Sequence, residues 1–166
     1  MSPRLHVLTA CSRPENLGPV GDSVFAWPHP GVDLVWHVTH EEKPHVGGQF
    51  LKNKLLSQVS SGYVVFLDDD TTMHPNLVNR LTETFDTGVY DAVLYGRVEH
   101  GSVFPPRLEV GHIDIGQACL SRRLIGNHRI PETYDGDGHF LIDVVAEAKN
   151  AIYLSEPLSF YNRLRP

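Results

Sequence analysis

Three consecutive aspartates, Asp68, Asp69 and Asp70, stand directly after the apolar run of residues 63–67. Adjacent carboxylates repel one another, and in a partly buried site that repulsion is costly unless a cation neutralises it. Carboxylate oxygens are hard ligands of the kind that magnesium or manganese takes one or two at a time, together with the oxygens of a diphosphate. The triplet therefore points to a divalent ion facing a phosphorylated ligand. A lone aspartate at a strand end would carry no such message, because it also serves to cap the next turn.

The surrounding pattern must place this triplet at a strand end. Residues 63–67 are short and continuously apolar, as in a strand buried on both faces of a parallel sheet. In open α/β sheets ligands bind beyond the carboxyl ends of the strands, where the triplet would lie. Further strands are expected at 5–10, 32–38, 91–98 and 151–154, the second preceded by the turn formers Pro28, Pro30 and Gly31. Phe50, Leu51, Leu55, Leu56 and Val59 recur at helical spacing over 49–59. A second helix opens at Pro75 and runs through Leu77, Val78, Leu81 and Phe85, and a third covers 138–148. The stretch 99–107, with Gly101, Pro105 and Pro106, reads as a loop bordering a site, 116–125 has no clear assignment, and the tail from Pro157 reads as irregular. Alternating strands and helices predict an α/β sandwich around a largely parallel sheet.

A chain of 166 residues fits a single domain, and 41% apolar against 20% charged residues is the balance of a folded protein with a real core. The net charge of −6 repels polyanions, so the composition carries no strong nucleic-acid signal. A local basic groove would require Arg122, Arg123, Arg129, Arg163 and Arg165 to converge on folding. Cys11 and Cys119 are too few and too far apart for a disulfide framework or a cysteine zinc site, and two buried thiols are expected. No stretch approaches the roughly 20 apolar residues needed to cross a bilayer, so a cytoplasmic protein without a transmembrane segment is expected.

Several short motifs occur in a particular order: Arg13-Pro14-Glu15-Asn16-Leu17 after the first strand, Lys52-Asn53 in the first long helix, and Gly62-Tyr63 through Asp70. They are followed by the small-residue and arginine stretch 116–123, by Asp137, and by the closing segment 157–163. In that order they resemble the glycosyltransferases of the GT-A fold, in particular the large inverting family 2. The resemblance implies a single minimal GT-A domain over 1–166, with 1–98 as the nucleotide-sugar-binding half and 99–166 as the acceptor-side half. It further implies transfer of a sugar, with inversion, from a nucleotide-diphosphate donor, by family habit a UDP-sugar, to an acceptor hydroxyl with Mn2+ or Mg2+ as cofactor.

By the same resemblance Asp68 contacts the ribose or base, Asp70 binds the cation together with Asp68, and Asp69 belongs to the donor site. Ala10, Ser12, Arg13 and Glu15 from the first loop, the segment 39–42 with His40 and Glu41, and Lys52 and Asn53 complete the nucleotide side. An acceptor hydroxyl must lose its proton during attack, and Asp137 is the candidate base. Its flanking glycines allow close approach of a substrate, although an aspartate before Phe140, Leu141, Val144 and Val145 is also placed as a helix N-cap. His112, Asp114 and His139 are alternatives for the base or for acceptor binding. Family members usually carry a glutamate where this chain has Gly136, and the late histidine that completes the metal shell in some of them has no counterpart after His139. The acceptor could be a saccharide, a lipid-linked sugar, a protein or a modified nucleobase.

Two other readings compete. Residues 64–72 also resemble the strand and Asp-x-Asp-x-Thr motif of haloacid-dehalogenase-like phosphatases, with Asp68 as nucleophile, but those enzymes need a later lysine and none lies between Thr72 and Asp137. The missing glutamate at Gly136 suggests a module that binds nucleotide sugars without transferring them.

Overall fold

The computed structural model describes residues 3–26, 31–41 and 48–165, so Pro28, Pro30 and Glu42 lie outside the described residues. In chain order its elements are β1 (Arg4–Cys11), α1 (Leu17–Phe25), β2 (Asp33–His40), α2 (Gln49–Leu56), β3 (Tyr63–Phe66), β4 (Thr72–Met73) and α3 (Leu77–Thr87). Then follow β5 (Ala92–Glu99), β6 (Ser102–Phe104), β7 (Ala118–Ser121), α4 (Arg122–Ile125), α5 (Gly136–Ala146) and β8 (Ala151–Phe160). The sheet has the order β2-β1-β3-β7-β5-β8-β4, with β6 paired to β5. β1 runs parallel to β2 and β3, and β5 runs parallel to β8, while β7 is antiparallel between β3 and β5.

Strand alternation divides the core into two layers, because successive side chains leave the sheet on opposite faces. Val64, Phe66, Ala92, Leu94, Ala118 and Leu120 pack with Leu55 and Leu56 of α2 and with Phe140, Leu141 and Val144 of α5. On the other face Val65, Leu67, Val93, Tyr95 and Cys119 pack with Val20 and Val24 of α1 and with Leu77, Val78 and Leu81 of α3. Every strand residue in both sets is buried, as the unbroken apolar run in β3 requires. Both cysteines are free and buried. No described helix is long and apolar enough to cross a membrane.

Four segments depart from the sequence expectation. Residues 99–107 hold a hairpin rather than a plain loop: β5 and β6 pair Val98 with Val103 across a turn in which His100 and Gly101 have φ of 48° and 78°. β8 runs on to Phe160 instead of ending near Leu154, because a register shift opposite Gly96 admits Pro157 into the ladder. Residues 116–125 hold the end of a 3-10 turn, a four-residue strand and a one-turn helix, each too short to show a period. Helix α1 was not expected, since Gly18 and Pro19 in its first turn imitate a loop.

What aims the acidic triplet is the junction of β1 and β3. Leu5 to Leu8 lie in register with Tyr63 to Phe66, and the Leu67 amide donates to the Leu8 carbonyl at 3.0 Å. The two carboxyl ends therefore finish side by side. At the opposite end Gly62, with φ of 87°, turns the chain into β3 so closely that a Cβ there would stand 2.6 Å from the Arg4 carbonyl oxygen. Gly62→Ala is expected to destabilise the protein by about 2 kcal/mol or more, from positive φ combined with backbone overlap. Gly18→Ala in α1, where a Cβ meets nothing within 4 Å, is expected to be neutral or stabilising by up to about 1 kcal/mol. Urea unfolding of both variants checks the pair.

Candidate active site

A cleft of about 450 Å³ opens beyond the carboxyl ends of β1 and β3, where the order of connections reverses between β2 and β3 on either side of β1. Its walls come from the turn after β1, the start of α2, the segment 68–70, the segment 111–114, the entry to α5 and the residues after β8. All three aspartates of the triplet line it, but their side chains go to different partners.

Asp69 is a structural clamp. Its Oδ2 accepts from the Ser12 amide at 2.6 Å, the Ser12 hydroxyl at 3.0 Å and the Arg13 amide at 2.7 Å, and its Oδ1 accepts from the Arg13 guanidinium at 2.7 Å. Four donors on one buried carboxylate tie the β1 turn to the end of β3. Asp70, also buried, accepts on Oδ2 from Arg13 Nη2 at 3.0 Å and from Arg165 Nε at 2.6 Å. Among the described residues its Oδ1 accepts only from the Thr71 hydroxyl, at 3.3 Å.

Asp68 belongs to a second group. Lys52, on α2 and only 2% exposed, places its ammonium 3.0 Å from Asp68 Oδ1 and 3.2 Å from Asp137 Oδ2. Burial by itself would lower the lysine pKa, but the carboxylates of Asp68, Asp137 and Asp114 outweigh it and hold the ammonium above its usual value. Asp68 is pushed up by burial, with Lys52 opposing. Asp114 is pushed up to about 7, first by burial and then by the charges of Asp68 and Asp137. Asp68, Asp114 and Asp137 each offer an oxygen within 4.8 Å of the others, an all-oxygen set of the kind a hard cation takes.

Asp137 sits in the first turn of α5, and the residue at the cap position is Asp135, whose side chain makes no capping bond. The capping role considered for Asp137 is therefore not the one it fills. Among the described residues its Oδ1 is buried without a hydrogen-bond partner. The flanking glycines accommodate backbone: a Cβ at Gly136 would stand 2.0 Å from the Pro131 carbonyl oxygen, and one at Gly138, which also lines the cleft, would stand 3.1 Å from Val110 Cα.

Of the other residues singled out in the sequence, Ala10, Ser12, Arg13, His112 and Asp114 line the cleft. Asn53 does not; its amide donates to the Ile130 carbonyl at 2.8 Å and accepts from the Ile130 amide at 2.9 Å, holding the segment before α5. His40 donates from Nδ1 to the Cys11 carbonyl at 3.1 Å, the Glu41 amide donates to the same oxygen at 3.1 Å, and neither side chain reaches the cleft. Glu15 is exposed in the turn before α1, and His139 does not line the cleft itself but pairs at 3.2 Å with Asp135, which does. The arginines do not form a groove. Arg122 donates to the Val59 and Gly126 carbonyls, Arg123 pairs with Asp91, Arg129 donates to the His128 carbonyl, Arg163 lies over Phe160, and of these five Arg165 alone lines the cleft.

Arg97, Tyr134 and Tyr161 also line the cleft and carried no local signal in the sequence. Arg97 donates to Gln117 and to the His112 carbonyl, pairs with Glu99, and stacks on Phe104 and Tyr161. Its partners come from four separate segments, which no spacing rule links.

The family model described as Glycosyl transferase family 2 matches residues 33–153. That span holds Lys52, the aspartate triplet, Asp114 and Asp137, and leaves out the β1 turn and Arg165. No curated protein sequence matches the chain. Among solved structures it is similar to S. aureus TarS 1-349, at 13% identity and a TM-score of 0.70 over 95% of this chain and 60% of that one. The complex of TarS 1-349 with UDP-GlcNAc gives 11% identity and 0.72 over 95% and 58%, and the complex with UDP gives 14% and 0.71 over 95% and 60%. This chain thus spans about three-fifths of the TarS fragment, and at such identity the likeness concerns the fold.

The raised Asp114 pKa sets the sign of a pH effect. The folded protein holds the proton that an unfolded aspartate has released, so this group's contribution to stability falls as pH rises from about 4 through about 7. Asp114→Asn keeps an oxygen for the Gly116 amide, which donates to Oδ1 at 2.8 Å. In chelator-treated, metal-free buffer the variant is expected to be more stable than the parent at about pH 8, with the gap closing toward about pH 4. Urea unfolding across that range checks the sign.

Proposed function

The chain belongs to glycosyl transferase family 2, and from that premise we propose that it transfers a sugar from a UDP-sugar to an acceptor hydroxyl with inversion. The observation that carries the reading is the meeting in one cleft of Asp68 and Asp70 from the end of β3 with Asp137 from α5. The UDP and UDP-GlcNAc complexes of a protein with the same fold support a uridine nucleotide as the donor's leaving part. Family membership leaves the phosphatase reading of Asp68 without support.

In this proposal residues 1–98 form the nucleotide side and 99–166 the acceptor side, with the last residues returning to the strand tip. Asp68 binds the ribose or base, and Ala10, Ser12 and Arg13 border it. Asp70, with Asp68 beside it, holds Mn2+ or Mg2+. The donor chemistry fits, since a carboxylate with 2% of its side chain exposed requires positive partners, and Oδ2 is paired with the guanidiniums of Arg13 and of the half-exposed Arg165, cations standing in for a cation. When bound, a divalent ion neutralises charge growing on the departing diphosphate.

Asp137 takes the proton of the acceptor hydroxyl. Its buried, unpartnered Oδ1 is the free acceptor that this step needs, while Lys52 engages Oδ2 and so fixes the carboxylate's orientation. Lys52 is a positioning residue, spanning Asp68 on the donor side and Asp137 on the acceptor side.

The test is hydrolysis or transfer of UDP-sugars with manganese, alongside thermal shift by UDP. Wild-type protein is expected to be stabilised by UDP with manganese and to turn the donor over. Asp137→Asn is expected to lower turnover by about a hundredfold or more while retaining the UDP shift. A UDP shift with no turnover by the parent protein would support the non-catalytic module instead, and no shift with any nucleotide sugar would end the donor-site assignment.

A further inference from the structure

The cations at the strand tip are not equivalent. Lys52 is 2% exposed and shared between two carboxylates, so it cannot leave without stranding both. Arg13 reaches Asp70 Oδ2, but the same Nη2 is bound to Asp69 Oδ1 at 2.7 Å and its backbone amide to Asp69 Oδ2. Among the described residues the Arg165 side chain hydrogen-bonds through Nε to Asp70 Oδ2 alone, and it is 55% exposed.

The backbone around Arg165 is held independently of that contact. The Leu164 amide donates to the Asp70 carbonyl at 2.9 Å, and the Asn162 amide donates to Thr71 Oγ1 at 3.4 Å. The guanidinium can therefore swing off Asp70 while its Cα stays beside the cleft that Arg165 lines. A guanidinium offers a planar fork of donors suited to phosphate oxygens, and the free charge it carries on leaving Asp70 has the sign a diphosphate requires.

Resting on the donor-site reading above, we propose that Arg165 is an exchangeable counter-ion: it neutralises Asp70 until a divalent cation takes that carboxylate, and its guanidinium then binds the donor's diphosphate. Arg165 thus competes with the metal and cooperates with the nucleotide. An arginine that only paired with Asp70 would compete with the metal but would not cooperate with the nucleotide.

Two binding measurements with opposite expected signs test this. Binding of Mn2+ alone is followed by loss of its free-ion spin-resonance signal, and binding of UDP at saturating Mn2+ is followed by calorimetry. Arg165→Gln is expected to bind Mn2+ roughly two- to fivefold more tightly, since an exposed ion pair is a weak competitor. The same variant is expected to bind UDP about tenfold more weakly, as befits one charge-assisted contact. Arg165→Lys keeps the charge without the fork and is expected to match the parent for Mn2+ while falling below it for UDP. Unchanged or weaker Mn2+ binding by Arg165→Gln overturns the proposal, as does unchanged UDP binding. If UDP binds the parent but Mn2+ does not, the counter-ion role fails while the donor site stands; if UDP binds under no condition, the donor-site reading fails with it.

Discussion

Five buried or half-buried carboxylates converge at one end of the sheet, and the structure depends on how their charge is balanced. Asp68, Asp69, Asp70, Asp114 and Asp137 all line the same cleft. Moving an ion out of water costs several kcal/mol in practice, so each needs donors or a cation close by. The partners come from different parts of the chain: the β1 turn for Asp69, the segment after β8 for Asp70, and α2 for Asp68 and Asp137. Folding the site and folding this end of the protein are therefore one event. A change in any of these partners leaves a buried charge uncompensated rather than simply removing a contact.

Lys52 is the centre of that arrangement because it links the two sides of the cleft. The ammonium bridges residues 68 and 137, far apart in sequence, and does so from the helix that packs Leu55 and Leu56 into the core. Helical spacing connects the two facts. Residue 52 lies three and four positions before those leucines, so the packing that seats α2 also fixes where the ammonium emerges.

This spacing was readable in the sequence, as were β3, the alternation of strands and helices, and the location of the triplet at a strand end. The separate fates of Asp68, Asp69 and Asp70 were not. Neighbouring residues just past a strand point in different directions, and what each meets depends on segments tens of residues away. Asn53 shows the same limit. Its place beside Lys52 resembles a donor-site pair, yet one helical step turns it onto Ile130. Around Asp137 the glycines read as room for substrate, whereas the Pro131 backbone occupies that room at Gly136, and Gly138 both lines the cleft and packs on Val110. Glycine reports only that something approaches closely, not what it is.

Ion pairs buried in this way are poor sources of net stability, since desolvation offsets most of their attraction. The stability must come from elsewhere, and the two apolar layers supply it. Residues of β3, β5 and β7 contribute to both, so the sheet beneath the cleft is packed from each face and its strand ends are rigid. A scaffold of that kind tolerates a costly concentration of charge at its carboxyl edge without loosening. The raised Asp114 pKa is the visible sign of that cost, because a carboxyl kept near neutrality by burial and by two charged neighbours is less stable ionised than it would be in water. Retaining such a residue beside Asp68 and Asp137 weakens the fold above neutral pH, and the cleft's concentration of carboxylates is better explained by binding and chemistry than by folding.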